Sequence, residues 1–491
     1  MTVITRFAPS PTGYLHIGSL RTVLFNYLFT KKCDGKFMLR IEDTDRTRFV
    51  EGSVDNMLEI LASIGLIPDE WPNNPGDKWP YYQSERLDLY KKHIETLLET
   101  DHAYHCFCSS ERLTELRAEQ ESLKLPTKYD KKCRYLTEEE KNKKLEAGES
   151  YTIRLKVPDN QTIEFRDEVR GKISINSREV DDQVLMKTDG FPTYHFAVVV
   201  DDYHMWVTDI IRWDEWIPST PKHILLYNAF NWEVPAYSHV PPLLWKDGKK
   251  LSKRTGDVAV EKYLEKGYLV EALINYLALL WWNPKTTDEF FTMAELIERF
   301  ELWQVQKAGA KFDVERLDFF NAHYLKNADE AQLYNKLLMY LKRYNSEYFA
   351  RVSAQDEAYN KKIFSELKGR IKHFSEYETF SSLFYTEHKI ADESLFMNEK
   401  MKITSPSIIK DALQIWLEVL SKVENDCDIQ TLKDTFIPKI KEKEMKNGQV
   451  LWPIRVALSW EEFSPWAFEM IYIYGIEKSR WILEKVLKNF S

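Results

Sequence analysis

Apolar and polar positions follow a strand–helix rhythm over the first hundred residues. Thr2 to Ala8 is a short β-rich run that ends in the turn Pro9-Ser10-Pro11-Thr12-Gly13. His16 to Thr30 then carries Leu20, Val23, Leu24, Tyr27 and Leu28 at three- and four-residue spacing, which predicts a helix with one buried face. Lys36 to Ile41 predicts a second strand that closes on Glu42-Asp43-Thr44-Asp45, and Val54 to Ile64 a second helix. Strands alternating with helices predict a parallel sheet, and such sheets bind ligands beyond the C-terminal ends of their strands. Pro9 to His16 and Glu42 to Asp45 are therefore placed on one functional rim.

From about Ala103 to Asp189 the texture changes to charged helix and then to β-type segments at Tyr151–Val157, Thr162–Phe165 and Val184–Lys187, which predicts an inserted unit. The β/α rhythm resumes at Phe196–Val200 and Ile210–Ile211. Ser219-Thr220-Pro221 marks a helix start, a capping residue with Pro at the first helical positions. Gly248 to Arg254 is a basic loop, and from about Tyr263 onward the pattern is helical and charge-rich without strand alternation.

Composition sets the class. The chain has 491 residues, 44% hydrophobic and 30% charged, so it can bury several cores and falls outside the disordered range. Its longest apolar runs, such as Tyr276 to Trp282, are far short of the roughly 18 residues a membrane span needs. The opening MTVITRFAPS has no apolar leader core, which points to a cytoplasmic protein. Five cysteines, two of them one residue apart, do not form a secreted disulfide framework. With a net charge of −9, a nucleic-acid partner would have to meet locally gathered basic residues. Glycine is unusually scarce, 16 of 491 residues, where a share of about 7% would give roughly 34. Tryptophan, at 15, nearly equals it.

Three constellations carry candidate chemistry. The run from Arg6 to Ser19 ends a strand and opens a helix, a geometry that aims backbone N–H groups and the helix dipole at phosphate. Within it Gly18, next to His16, lets a flat nucleotide approach the backbone. Lys249-Lys250-Leu251-Ser252-Lys253-Arg254 places four cations in a loop that follows Gly248. Cys106-x-Cys108, with Cys133-x-Tyr135 after 24 intervening residues, supplies three thiolates of a tetrahedral metal site or else a set of unmetallated thiols. Taken singly, each of the first two reads as an ordinary strand–helix turn and a solvated basic face.

Together, these two motifs resemble the H-I-G-H and K-M-S-K-S signatures of class I aminoacyl-tRNA synthetases, with Ser19, Leu251 and Arg254 as departures. Five stretches in one order, Arg6–Gly13, Arg40–Asp45, Asp189–Asp202, Ser219–Tyr227 and Asp247–Arg254, narrow the resemblance to bacterial-type glutamyl-tRNA synthetase. It runs through about residue 325 and returns at Pro453–Phe468. The resemblance implies an α/β, Rossmann-type nucleotide-binding catalytic domain in two halves, 1–102 and 191–255, around an inserted acceptor-stem domain at 103–190. A helical stem-contact domain at 256–325 and an all-helical anticodon-binding region at 326–491 would follow.

The implied activity joins L-glutamate to tRNA-Glu at the expense of ATP, through glutamyl-adenylate, with Mg²⁺ arriving on the ATP. Neither step needs a protein nucleophile, so catalysis would rest on positioning and on stabilising phosphate charge. By resemblance, His16 and Lys253 are catalytic and face the phosphates, with Gly18, Lys250 and Ser252 completing the ATP site. Arg6, Ser10, Glu42, Tyr194 and Arg212 would bind glutamate, the arginines its carboxylates and Glu42 its ammonium group. The inserted domain of many members holds a structural zinc, implied here at Cys106, Cys108 and Cys133, with Tyr135 where a His is common and His105 nearby. A monomer is implied, as is weak ATP activation in the absence of tRNA. Lys439 to Lys446 reads equally as a phosphate contact and as a solvated helix face.

Several alternatives accompany this reading. A non-discriminating ligase would also charge tRNA-Gln. A glutamyl transferase acting on a tRNA base would lack the roughly 165 residues that follow position 325, and a glutaminyl enzyme is disfavoured by the helical C-terminal pattern. Against the family pattern, Trp71, Trp79, Trp206, Trp213, Trp245, Trp281, Trp460 and Trp466 stand where glycine is usual, whereas Trp216, Trp232, Trp282 and Trp452 stand where Trp is used. Either the eight are real and the chain is a catalytically impaired tRNA-binding relative, or their codons are UGA read as glycine.

Overall fold

A computed structural model of the chain describes residues 2–249, 251, 259–425 and 427–490, apart from the side chain at position 46. Strand β1 (Ile4–Phe7) pairs in parallel with β2 (Lys36–Leu39), in the register Ile4↔Lys36 to Phe7↔Leu39. All four residues of β1 are buried, as a strand covered on both faces requires. The helix Ile17–Lys32 connects them, with Leu20, Val23, Leu24 and Leu28 fully buried. It is covered on more than the one face that its apolar spacing predicts, because Arg21, Thr22, Asn26 and Thr30 are buried as well. Lys31 and Lys32 occupy its last turn, where cations favour the helix dipole.

The middle of the chain divides between two sheets. Strands β3 (Ala103–Cys106), β4 (Thr152–Leu155) and β7 (Val184–Met186) form an antiparallel sheet in the order β3-β4-β7. The hairpin of β5 (Thr162–Asp167) and β6 (Gly171–Asn176) joins β8 (Asp209–Trp213) and β9 (Ala236–Val240) in the order β6-β5-β9-β8. Its link to that sheet is the parallel pairing Asp167↔Tyr237. β8 and β9 are parallel, and Thr208, just ahead of β8, ties them to the first pair. Its backbone N–H donates to Ile4 O at 2.9 Å, and its hydroxyl accepts from Ile4 N at 2.8 Å. The ends of β1, β2, β8 and β9 consequently face the same way, which is where an open α/β sheet places ligands.

Two segments depart from the sequence reading. Phe196–Val200, read as part of the resumed strand rhythm, lies in the helix Tyr194–His204. Every residue from Phe196 to Asp202 is buried, and a short, uniformly apolar run has no period to separate buried helix from buried strand. Ala310–Phe312, in the stretch read as helical, is strand β11 and pairs in parallel with β10 (Leu243–Trp245), being too short to show alternation. The helix predicted after Ser219 runs Thr220–Ala229 with Pro221 in its first turn.

The chain gathers into two bodies, Met1–Lys262 with Leu273–Val314, and Tyr263–Ala272 with Glu315–Ser491. The described elements of the second body are helical. Its core includes Trp416 stacked on Phe436 at 3.6 Å. Lys439 is paired there with Glu418 at 3.3 Å and Glu442 at 2.7 Å, which suits a solvated helix face. No described helix of the chain is long and apolar enough to cross a membrane.

Within the first body, Asp201 is fully buried on the helix Tyr194–His204. Arg86 Nε and Gln83 Nε2 donate to it at 2.7 and 2.8 Å, and so does the Tyr90 hydroxyl at 2.8 Å. Removing one member of a buried ion pair leaves an uncompensated charge that costs about 3–5 kcal/mol. Asp201→Asn should therefore lower the melting temperature of the first body while leaving that of the helical body in place, as resolved by calorimetry.

Candidate active site

Beyond β1 the chain turns through Pro9–Gly13 and starts the helix Ile17–Lys32, whose N-cap is His16. The imidazole accepts the Gly18 N–H through Nδ1 at 2.9 Å, so a helix N-terminus and its dipole open onto the rim. Arg6, Ser10, Glu42, Tyr194 and Arg212, the residues the resemblance assigns to glutamate, all line one cleft of about 940 Å³. Ser10 and His16 also line a smaller hollow beside it. Lys250, Ser252 and Lys253 lie outside the described residues.

The two arginines expected to face a substrate, Arg6 and Arg212, are held in different ways. Arg6 reaches from β1 to Asp202 and donates from Nε at 3.0 Å and Nη2 at 3.2 Å, a two-pronged pair. Arg40, just past β2, donates to the same carboxylate at 2.7 Å and to Glu42 at 3.2 Å. Burial alone would raise the Asp202 carboxyl, but Arg6 and Arg40 hold it below the usual range. Glu42 is different. Burial outweighs the pull of Arg40 and Arg6 and raises its carboxyl to about 7.

Arg212, at the end of β8, meets neutral partners. Its Nε donates to His239 Nε2 at 3.0 Å and its Nη2 to the Thr220 hydroxyl at 2.8 Å, while Nη1 lies 3.2 Å from His223 Nδ1. His239 also holds Asp167 Oδ2 through Nδ1 at 2.6 Å. Burial lowers His239 to about 4 and pushes His223 well below the ordinary histidine range, so both rings are neutral near pH 7. Among the described residues, Arg212 forms no ion pair. Its charge is therefore left for a ligand, whereas that of Arg6 is already met by Asp202. Tyr194 packs on Trp216 with ring centres 4.4 Å apart, forming an aromatic wall beside Arg212.

The three predicted thiols converge. The Sγ atoms of Cys106, Cys108 and Cys133 lie within 4.8 Å of one another, with Cys108 and Cys133 at 3.5 Å. The Tyr129 hydroxyl stands 3.3 Å from Cys106 and 3.4 Å from Cys108, and it accepts the Cys133 N–H at 2.9 Å. Tyr135 is 71% exposed, and the phenol that meets the sulfurs is that of Tyr129. Hydrogen bonds from Cys133 and then Tyr129 bring the Cys106 thiol down, while Cys133, which donates to it, is pushed up. Three convergent sulfurs with a phenol oxygen suit a soft divalent cation.

Sequence reasoning missed Asp202, Arg40, Thr220, His223, His239 and Tyr129. A signal existed for the first: Asp201-Asp202 ends an otherwise apolar run, and carboxylates in a buried helix need cations. Thr220, His223 and His239 carry no such mark: the pairing of β8 with β9 brings His239 to Arg212, and the helix Thr220–Ala229 brings Thr220 and His223.

Comparison with known proteins agrees with this geometry. The family model for the catalytic domain of class I tRNA synthetases (E and Q) matches residues 2–319, and that for an anticodon binding domain matches residues 332–487. A glutamate–tRNA ligase of Alkaliphilus metalliredigens is 44% identical over 98% of both chains. One of Clostridioides difficile is 42% identical over 97% of both. The crystal structure of a glutamate tRNA ligase from Elizabethkingia meningosepticum, in complex with its amino acid, superposes with a TM-score of 0.88 at 35% identity over the whole of both chains. With its nucleotide-type sheet, its cleft at the strand ends and these full-length matches, the chain belongs to the class I tRNA synthetases of the E and Q type.

Proposed function

We propose that the chain is a glutamate–tRNA ligase, which activates L-glutamate with ATP and transfers the glutamyl group to the 3′ end of tRNA-Glu. The observation that carries this reading is the cleft with Arg212, Arg6, Glu42 and Tyr194 at one end of a parallel sheet and a histidine-capped helix N-terminus beside it. A dicarboxylate with an ammonium group needs an uncommitted guanidinium, and Arg212 supplies one. Glu42 takes the ammonium, with Tyr194 and Ser10 closing the pocket.

The α-carboxylate of glutamate attacks the α-phosphorus of ATP, a P–O bond forms to the acyl oxygen, and pyrophosphate leaves with its Mg²⁺. A ribose hydroxyl of the tRNA terminus then attacks the acyl carbon and AMP departs. In the first step His16, Gly18, Lys250, Ser252 and Lys253 hold the nucleotide. His16 and Lys253 stabilise the charge that builds on the phosphates. Residues 103–190 contact the acceptor stem and the helical body the anticodon. Cys106, Cys108 and Cys133 hold a structural zinc, with Tyr129 facing the fourth corner in preference to the exposed Tyr135.

The direct test is glutamate acceptance by separate tRNA-Glu and tRNA-Gln transcripts. Charging of tRNA-Glu is expected; acceptance of neither would overturn the reading, and acceptance of both would make the enzyme non-discriminating. Arg212→Lys keeps the charge and loses the fork, and should raise the KM for glutamate about tenfold or more with little change in that for ATP.

Glu42 sets a pH dependence. Its carboxyl titrates at about 7 in the free protein, and only the ionised form attracts an ammonium. The glutamate KM should therefore climb about tenfold for each unit below that point and level off above it. Without substrate the sign reverses: an acid raised by burial favours the fold while protonated, so stability falls as pH rises through the same window. Glu42→Gln should give a raised glutamate KM that no longer varies with pH.

Elemental analysis of freshly purified protein should find about one zinc per chain, and Cys108→Ser should abolish it. Metal-free protein with full activity would remove zinc from the reading.

A further inference from the structure

We propose that position 213 governs access to the ATP end of the cleft, and that it, with positions 206 and 460, carries glycine in the working protein, the codons written as tryptophan being read as glycine. The part concerning access rests on the function proposed above; the backbone argument does not.

The backbone speaks first. The helix Tyr194–His204 closes with Trp206 N donating to Tyr203 O at 3.0 Å and Val207 N to Asp202 O at 2.8 Å, with Trp206 at φ +58°. This paired closure demands a left-handed residue, and glycine is its usual occupant. Gly65, Gly148 and Gly267 hold the same place in this chain, at φ +74°, +68° and +76°. Asp34, Asp101 and Asn231 hold it elsewhere with short polar side chains, and Lys124 and Glu444 with flexible exposed ones. A residue that carries a Cβ is strained in that left-handed conformation, where glycine is not. The Trp206 side chain is 66% exposed, and the Lys78 ammonium stands over its ring at 2.7 Å, a contact at the surface and not in a core. Trp460 also ends a helix in the left-handed region, closing Asn447–Ser459 at φ +50° through the single bond from its N–H to Val456 O at 2.7 Å, another closure that favours glycine.

The site speaks second. The Trp213 indole leans over the helix N-terminus, where a Cβ added to Gly18 would lie 3.1 Å from its ring. Its Nε1 donates to Thr22 Oγ1 at 2.6 Å, which fixes the ring in that place. It lines the cleft beside Arg212 and covers Gly18, a glycine surface on which a flat nucleotide could rest. An indole there competes with the ligand for the same face. Glycine at 213 would free that face without moving Arg212, because β8 pairs through its backbone.

Composition makes the third observation: glycine falls short of its usual share by about half while tryptophan stands almost level with it. The structure also separates the candidates. Trp281 is fully buried, donates Nε1 to Ala308 O at 2.8 Å and stacks on Arg21 at 3.7 Å, so it gives no sign of a missing glycine.

Three readouts test this. The gene should carry UGA at codons 206, 213 and 460; UGG there would overturn the proposal. Peptide masses of protein isolated from its source cells should show glycine at the three positions, and tryptophan would overturn it. Recombinant chains with tryptophan or glycine at 213, each on a background with glycine at 206 and 460, should differ by about tenfold or more in kcat/KM for ATP when charging tRNA-Glu. Equal values would overturn the access role while leaving the ligase reading intact. Failure of both chains to charge, with glycine found in the native peptides, would locate the error in the ligase reading instead.

Discussion

Two adjacent carboxylates, Asp201 and Asp202, are buried in the first body, and much of that body is arranged to neutralise them. An ion removed from water without a partner costs several kcal/mol, so each must find cations wherever the chain can supply them. Consecutive helix residues point in different directions, and the two acids recruit largely different sets, with Arg40 between them at 2.7 Å from Asp202 and 3.7 Å from Asp201. Asp201 takes Arg86, Gln83 and Tyr90 from the segment around residues 83–90. Asp202 takes Arg6 from β1 and Arg40 from the end of β2. The pairing locks the helix Tyr194–His204 against the first two strands across more than a hundred residues of sequence. It also carries Glu42, two residues past Arg40, to the cleft.

The same network explains why the two site arginines are not equivalent. Arg6 spends its fork on Asp202, so its share in holding an anion is indirect. Arg212 is kept in place by a hydroxyl and by imidazoles that burial holds neutral. Neutral acceptors orient a guanidinium without cancelling its charge. A buried cation prepared in this way is costly in the empty protein and favourable once a carboxylate arrives, which is the economy a dicarboxylate site requires. Glu42 is the mirror image, a buried acid that burial raises to about 7 despite Arg40 and Arg6, and in the proposed ligase its ionised form meets the ammonium.

The hairpin β5–β6 shows how an insertion can serve the site. It continues the sheet through Asp167↔Tyr237, and Asp167 then grips His239, which in turn holds Arg212. A residue of the segment read as inserted thus sets the tautomer behind a substrate-facing arginine.

Local order determined what the sequence could show by itself. The strand–helix alternation, the Pro9–Gly13 turn, the Cys106-x-Cys108 pair and the Thr220–Pro221 helix start are short-range patterns, legible because each depends on neighbours a few residues away. The class of chemistry followed from the resemblance carried by His16–Ser19 and the basic loop Lys249–Arg254. Tertiary structure alone decided the rest. It decided that Phe196–Val200 is helix, that Tyr129 faces the thiols, and that His223, His239 and Thr220 cradle Arg212. Even partners close in the chain, such as Thr220 and His223, 8 and 11 residues from Arg212, meet it only once the helix after β8 packs beside the strand end, and burial, which sets the charge of each group, is a property of the packed core and leaves no trace in local pattern.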